Sequence, residues 1–270
     1  MTLELPSHMI ALSSPEGTSI FIDSSTKTPN YTKPFWKLCQ HFECQKNAAF
    51  CGVASCVMVL NSLQNARSIR PRNSGIPNFH YFDQENFFNK LTRQKIHPSE
   101  NVTKRGMMFQ ELVDLLQCQD GIQVESHKGI HLSLDQFREL LKKNSITEDS
   151  YIIIYYDRSK IEQEGGPHIS PIGAYSDSKD MFLLMDVSRY KYETGWIKTE
   201  ELYQGVHYND NLLGYYGGVV IVRSDPSVEF AATSVRKPRI TDPFKILLYS
   251  SLAFLFIGVW IGIAIGLQIK

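Results

Sequence analysis

Gln45-Lys46-Asn47-Ala48-Ala49-Phe50-Cys51-Gly52-Val53-Ala54-Ser55-Cys56-Val57-Met58-Val59-Leu60-Asn61 is the stretch on which the reading of the fold turns. From Cys51 to Leu63 the chain is a near-continuous run of apolar and small residues. That run is too long for an ordinary strand, so it predicts a helix buried on all sides. Cys51 then stands at the N-terminus of the helix, where unpaired N–H groups and the positive end of the dipole favour a thiolate. Gly52 beside it has no side chain and would let a substrate approach the backbone closely. Two readings of Cys51 stand on local sequence alone: a nucleophile, or a small buried core residue, as most free cysteines are. Cys56 is turned to a different face and reads as core.

Outward from this helix the pattern predicts an α+β fold. Residues 34–43 carry Phe35, Leu38 and Phe42 at helical spacing. Residues 107–117 have a stripe of Met108, Leu112, Leu115 and Leu116. Residues 133–143 open with Ser133 and Gln136, a capping box, ahead of Leu134, Phe137, Leu140 and Leu141. Strands are predicted later, at 151–156, 168–175, 181–187 and 218–222, with a turn over 176–180. Helices followed by antiparallel strands make the α+β pattern.

His168 and Asp186 flank the predicted hairpin, and the midpoint between them is Asp177, inside the turn. A turn centred there would set the two side chains opposite each other, about 5 Å apart at Cβ. The carboxylate would hold the imidazole in one tautomer and leave the other nitrogen to take a thiol proton. The plainer reading is a hydrogen-bonded histidine at a strand start and an aspartate at a strand end. Gln45, six residues before Cys51, offers an amide that, with the Cys51 N–H, can hold an oxyanion; an isolated Gln is otherwise a surface residue. Cys39, His41 and Cys44 do not converge well on a helix, so no metal site is expected of them.

Composition narrows the partners. With 28 basic and 28 acidic residues, no net field points to nucleic acid. The five cysteines form no CxxC, and the N-terminus lacks the charged start and long apolar run of a secretory signal, so reduced thiols in a cytosol-like compartment are expected. Residues 246–267 contain no charged side chain and match the roughly 20 residues needed to cross a bilayer. Arg236, Lys237, Arg239 and Lys245 precede the run, and only Lys270 follows it. A membrane tail anchor is therefore expected, with the larger part facing the cytosol. The predicted organisation is a catalytic region over 1–224, a polar linker over 225–243 and the anchor over 244–270. Gly258, Gly262 and Gly266 form a small-residue ridge that leaves room for a homodimer through the anchor.

Three segments together resemble the phytochelatin synthase family: Gln45 through Asn61, His168-Ile169-Ser170-Pro171-Ile172-Gly173-Ala174-Tyr175, and Asp180 to Tyr192 with Trp196 after it. Ser14-Pro15-Glu16-Gly17 and Phe82-Asp83 are shorter matches. The resemblance implies a papain-like cysteine peptidase fold with catalytic order Cys, His, Asp. It implies attack on glutathione, loss of glycine, and a γ-glutamylcysteinyl thioester passed to a second glutathione or to water. The implied nucleophile is Cys51, the base His168, the acid Asp186 and the oxyanion group Gln45. Arg189 matches an arginine near the site, implying charge pairing with a substrate or site carboxylate. Asp210 matches an acid that holds the donor's amino group. No protein-bound cofactor is implied; divalent metal, Cd or Zn, would enter as a thiolate complex of the substrate.

The chain departs from the family pattern at Ala48, Pro167 and Asn78 to Tyr81, and in having Tyr215 and Tyr216 where basic residues are expected. The last departure favours one alternative, a membrane-tethered cysteine peptidase acting on protein or peptide tails; an inactive membrane-tethered binding module is a second, of a different class.

Overall fold

The computed structural model of the chain describes residues 3–64, 80–88, 104–147, 149–210 and 215–227. They belong to one compact unit, Met1–Glu229. The expected anchor and nearly all of the expected linker lie outside the described residues. Among the described residues no helix is long and apolar enough to cross a membrane.

The centre of the fold is β3 (Ser150–Asp157), whose Tyr-Ile-Ile-Ile-Tyr-Tyr core is β-branched or aromatic throughout. Its side chains alternate between two apolar clusters. Tyr151, Ile153 and Tyr155 face one; Ile152, Ile154 and Tyr156 face the other. The first cluster is capped by α3 (Cys51–Ser62) and α4 (Phe109–Gln117), the second by α5 (Leu134–Ser145) and α6 (Thr199–Val206). A sheet buried on both faces explains why β3 reads as a continuous apolar run.

Seven antiparallel strands form this sheet in the order β1-β6-β5-β4-β3-β9-β2. Besides β3 they are β1 (Ile10–Ala11), β2 (Ile122–Lys128), β4 (Pro167–Ser176), β5 (Met181–Leu184), β6 (Gly195–Lys198) and β9 (Gly218–Ser224). A separate ribbon pairs β7 (Asn209–Asp210) with β8 (Tyr215–Tyr216). Every residue of α3 is buried, as its composition predicts. The α+β class holds, but the order is mixed, since β2 precedes α5 and α6 follows β6.

Several boundaries differ from expectation. The helix expected over 34–43 stops as α2 (Lys33–Leu38), and a 3₁₀ turn, Cys39–His41, follows. A helix not expected from periodicity, α1 (Pro15–Thr26), is started by Ser14, whose hydroxyl accepts from the Gly17 N–H at 3.0 Å, and by Pro15 at its first turn. The strand expected over 181–187 ends at Leu184. The hairpin turn is centred between Ser178 and Lys179, because Ser176 pairs with Met181. It is not centred on Asp177, so His168 and Asp186 do not face each other in the ladder; the partner of His168 is Tyr156. A bulge at Gly173 shifts the register, and beyond it Met185 N–H still bonds the Pro171 carbonyl at 3.0 Å. A Cβ on Gly173 would lie 2.8 Å from the Met185 sulfur, so the glycine lets the chain leading to Asp186 lie close against β4.

Hydrogen bonds stitch three distant segments together. The Ser55 hydroxyl of α3 donates to the Ile169 carbonyl of β4 at 3.1 Å. Gln45 N–H donates to the Val187 carbonyl at 2.9 Å, and the Ser188 hydroxyl donates to Gln45 Oε1 at 2.9 Å. Replacing Ser55 by Ala leaves a buried carbonyl short of a donor. We expect Ser55→Ala to lower unfolding free energy by about 1 kcal/mol in urea titration; unchanged stability would show that this bond does not tie helix to strand.

Candidate active site

Cys51 opens α3 and is buried. No side chain caps that helix start. The N–H groups of Gly52 and Ile169 point to the sulfur instead, and the His168 side chain hydrogen-bonds it. Burial alone would push the thiol up. The His168 charge and these bonds outweigh it and hold the Cys51 thiol below its ordinary range.

His168 Nε2 lies 2.9 Å from Asp186 Oδ1. With that nitrogen committed to the carboxylate, Nδ1 is the one left for the sulfur. Tyr156, its cross-strand partner, packs edge-on against the imidazole at 5.6 Å between centroids. Burial disfavours the imidazolium, yet the Asp186 charge and the Cys51 thiolate more than offset this and raise His168 above its ordinary value.

Asp186 lies two residues past the end of β5 and is 1% exposed. Burial opposes its charge, but His168, Arg158 and the Ser188 N–H at 2.8 Å overcome that and hold its pKa at about 2. Sequence reasoning missed Arg158. Its Nη2 lies 2.9 Å from Asp186 Oδ1 and 2.7 Å from Oδ2, and its other nitrogen bonds Gln163. Its guanidinium packs 5.1 Å from the Tyr192 ring centroid. The available signal was a guanidinium right after the most apolar strand, where a cation needs a partner.

The pairing expected of Arg189 with a site carboxylate is thus made by Arg158. Arg189 is exposed and lies over the Phe42 ring at 4.8 Å. Gly52 also acts differently from expectation. A Cβ there would lie 2.9 Å from both Ile169 Cδ1 and Met107 Sδ, so its Cα is covered by packing rather than left open to a substrate. Gln45 is buried, and its amide nitrogen donates to the Asn47 carbonyl at 2.7 Å and the Tyr190 hydroxyl at 3.2 Å. Asp210 lies in the β7–β8 ribbon, its backbone opposite Tyr215. Among the described residues no three His, Cys, Asp or Glu side chains gather as metal ligands, Cys39, His41 and Cys44 included.

A cleft of about 1140 Å³ opens beside Cys51. Its walls include Asn47, Met107, Tyr155, Ile169 and Tyr215. The size is just above the usual range of small-molecule sites. A thiol with a lowered pKa, an imidazole with a raised one and a buried carboxylate in series, beside such a cleft, can perform acyl transfer.

A model of the family described as phytochelatin synthase matches residues 1–217. The chain belongs to the phytochelatin synthase family. It is 33% identical over 214 residues to glutathione gamma-glutamylcysteinyltransferase 1 of Lotus japonicus, covering 79% of this chain and 40% of that protein. It is 31% identical over 213 residues to the protein of the same name from Arabidopsis thaliana, covering 79% and 41%. It is 26% identical over 219 residues to glutathione gamma-glutamylcysteinyltransferase of Schizosaccharomyces pombe, covering 81% and 50%. The chain thus spans 40 to 50% of the length of these relatives.

The Asp186 shift carries a stability consequence with a definite sign. Its folded value lies below the ordinary 3.8, so its contribution is complete above that pH and is lost as pH falls to about 2. We expect the stability gap between wild type and Asp186→Asn to narrow by roughly 2 kcal/mol across that window, read by urea unfolding at stepped pH. A gap that stays constant would show that the carboxylate carries no such load.

Proposed function

We propose that this chain is a thiol-dependent acyltransferase that takes γ-glutamylcysteine from glutathione and releases glycine. The observation that carries the reading is the serial contact of Cys51, His168 and Asp186, in a chain of the phytochelatin synthase family. The antiparallel sheet packed on the N-terminus of a buried helix supports the papain-like assignment.

The Cys51 thiolate attacks the carbonyl carbon of the Cys–Gly peptide bond, forming the C–S bond and an oxyanion. The Cys51 N–H holds that oxygen together with the Gln45 amide, whose nitrogen gives up its longer bond to the Tyr190 hydroxyl for the oxyanion. Ser188 on Gln45 Oε1 keeps the amide oriented. As the oxyanion collapses, the C–N bond breaks and His168 Nδ1 gives its proton to the departing glycine nitrogen. Asp186 steers the ring and stabilises its charged form. A second glutathione amine, or water, then loses a proton to His168 and attacks the thioester, restoring the thiolate. Divalent metal, Cd or Zn, enters as a thiolate complex of the glutathione substrate. Gly52 serves by letting Ile169 and Met107 close over the helix start. Arg189 and Asp210 fill the roles of outer charge partner and amino-group acceptor.

The uncharged run 246–267, with basic residues before it, is the sequence feature that supports a membrane anchor, a cytosolic catalytic unit and a homodimer through the glycine ridge. A second reading, a peptidase on peptide tails, draws on the neutral Tyr215 in the cleft wall. Rates on glutathione and on short peptides separate the two.

Cys51→Ala should abolish glycine release from glutathione, and Gln45→Ala should lower kcat by about a hundredfold or more. Chromatography of released glycine measures both. Full release by Cys51→Ala removes the nucleophile assignment.

A further inference from the structure

The cleft beside Cys51 carries more positive charge than its own acids balance. Lys104, Arg105 and Lys160 line it, and among the described lining residues Asp157 is the one acid. Two of these four charges are already engaged. Arg105 is gripped by Glu111, with Nη1 to Oε2 at 3.0 Å and Nη2 to Oε1 at 2.5 Å. Glu111 is itself fixed, accepting from the Met108 N–H at the start of α4. Asp157 Oδ1 accepts from the Ser159 N–H at 2.9 Å and the Ser159 hydroxyl at 2.8 Å, which holds it as the cap of the 3₁₀ turn Arg158–Ile161.

Lys104 and Lys160 are exposed, and among the described residues neither ammonium meets a carboxylate. Lys160 has the firmer footing. It shares its short turn with Arg158, and Arg158 holds Asp186. The charge therefore hangs from an element bonded directly to the histidine's partner. The phenol of Tyr155 also lines the cleft but brings no charge, since burial pushes its hydroxyl far up.

A tripeptide thiol with two carboxylates and one ammonium enters such a cleft with net negative charge. It needs a cation that is not already paired, since displacing Glu111 from Arg105 would forfeit an existing ion pair. We propose that Lys160, with Lys104 beside the same cleft, is the carboxylate-binding group that positions the tripeptide for attack by Cys51. This assignment rests on the transferase reading above.

The test uses the full chain and initial rates of glycine release at varied glutathione. Lys160→Met should raise KM about tenfold while kcat stays within about twofold, the size expected for losing one charge-assisted bond to substrate. Lys160→Arg should recover most of the affinity. Added salt should raise KM of the wild type more than that of Lys160→Met. Repeating the pair on glutathione amidated at its glycine carboxylate assigns the end: a vanished difference marks the glycine carboxylate, a persisting one the γ-glutamyl carboxylate. An unchanged KM for Lys160→Met in an active enzyme overturns the proposal and leaves the transferase reading intact. A wild-type protein that leaves glutathione uncleaved removes both.

Discussion

The Asp186 carboxylate is buried, charged and shared. His168 and Arg158 press on it from two sides and the Ser188 N–H from a third. An isolated carboxylate at that depth would cost several kcal/mol and would simply take up a proton. Three donors make the charged form the stable one, and the charge then orders what surrounds it. It selects the tautomer of His168, raises the imidazole's affinity for a proton, and so lowers the pKa of a buried thiol against its own desolvation. Loss of the carboxylate would leave a buried guanidinium and a buried imidazole without a counter-charge.

The scaffold exists to bring that charge to the sulfur. Cys51 comes from a helix, His168 from a strand start, and Asp186 from the segment beyond a short strand. Each pair of segments carries its own tie: Ser55 to the Ile169 carbonyl, Gln45 to Val187 and Ser188, and Met185 to Pro171 past the Gly173 bulge. None of these ties belongs to the regular ladder or to a helix. Asn61 adds another from the far end of α3, bonding both the N–H and the carbonyl of Phe82. Ser55 and Asn61, two of the three polar side chains of a mostly apolar helix, are therefore its attachments to the rest of the unit.

Much of this was legible in the sequence, and the misses have physical causes. The buried α3 and the apolar β3 announce themselves by composition, because burial on every side leaves little choice of residue. The sequence predicts the His168–Asp186 contact from a symmetric hairpin that the structure does not have. The turn sits further along, and a bulge and an irregular segment bring the carboxylate back. Register of that kind is set by packing at Gly173 and Met185, which no single-strand pattern encodes. Arg158 carries little signal in the sequence because a cation at a strand end normally points to water; only the tertiary fold turns it inward. α1 is hard to see in the sequence because it is weakly amphipathic, although Ser14 and Pro15 give it a clear start.

The chemistry proposed for the site around Cys51 depends on the ionised state of His168. That state can be read directly by ¹⁵N NMR of the imidazole in the full chain. The account predicts that His168 stays protonated on both nitrogens to a midpoint above the ordinary 6.5, and that Asp186→Asn brings this midpoint down. An imidazole that titrates at or below 6.5 in the wild type would contradict it.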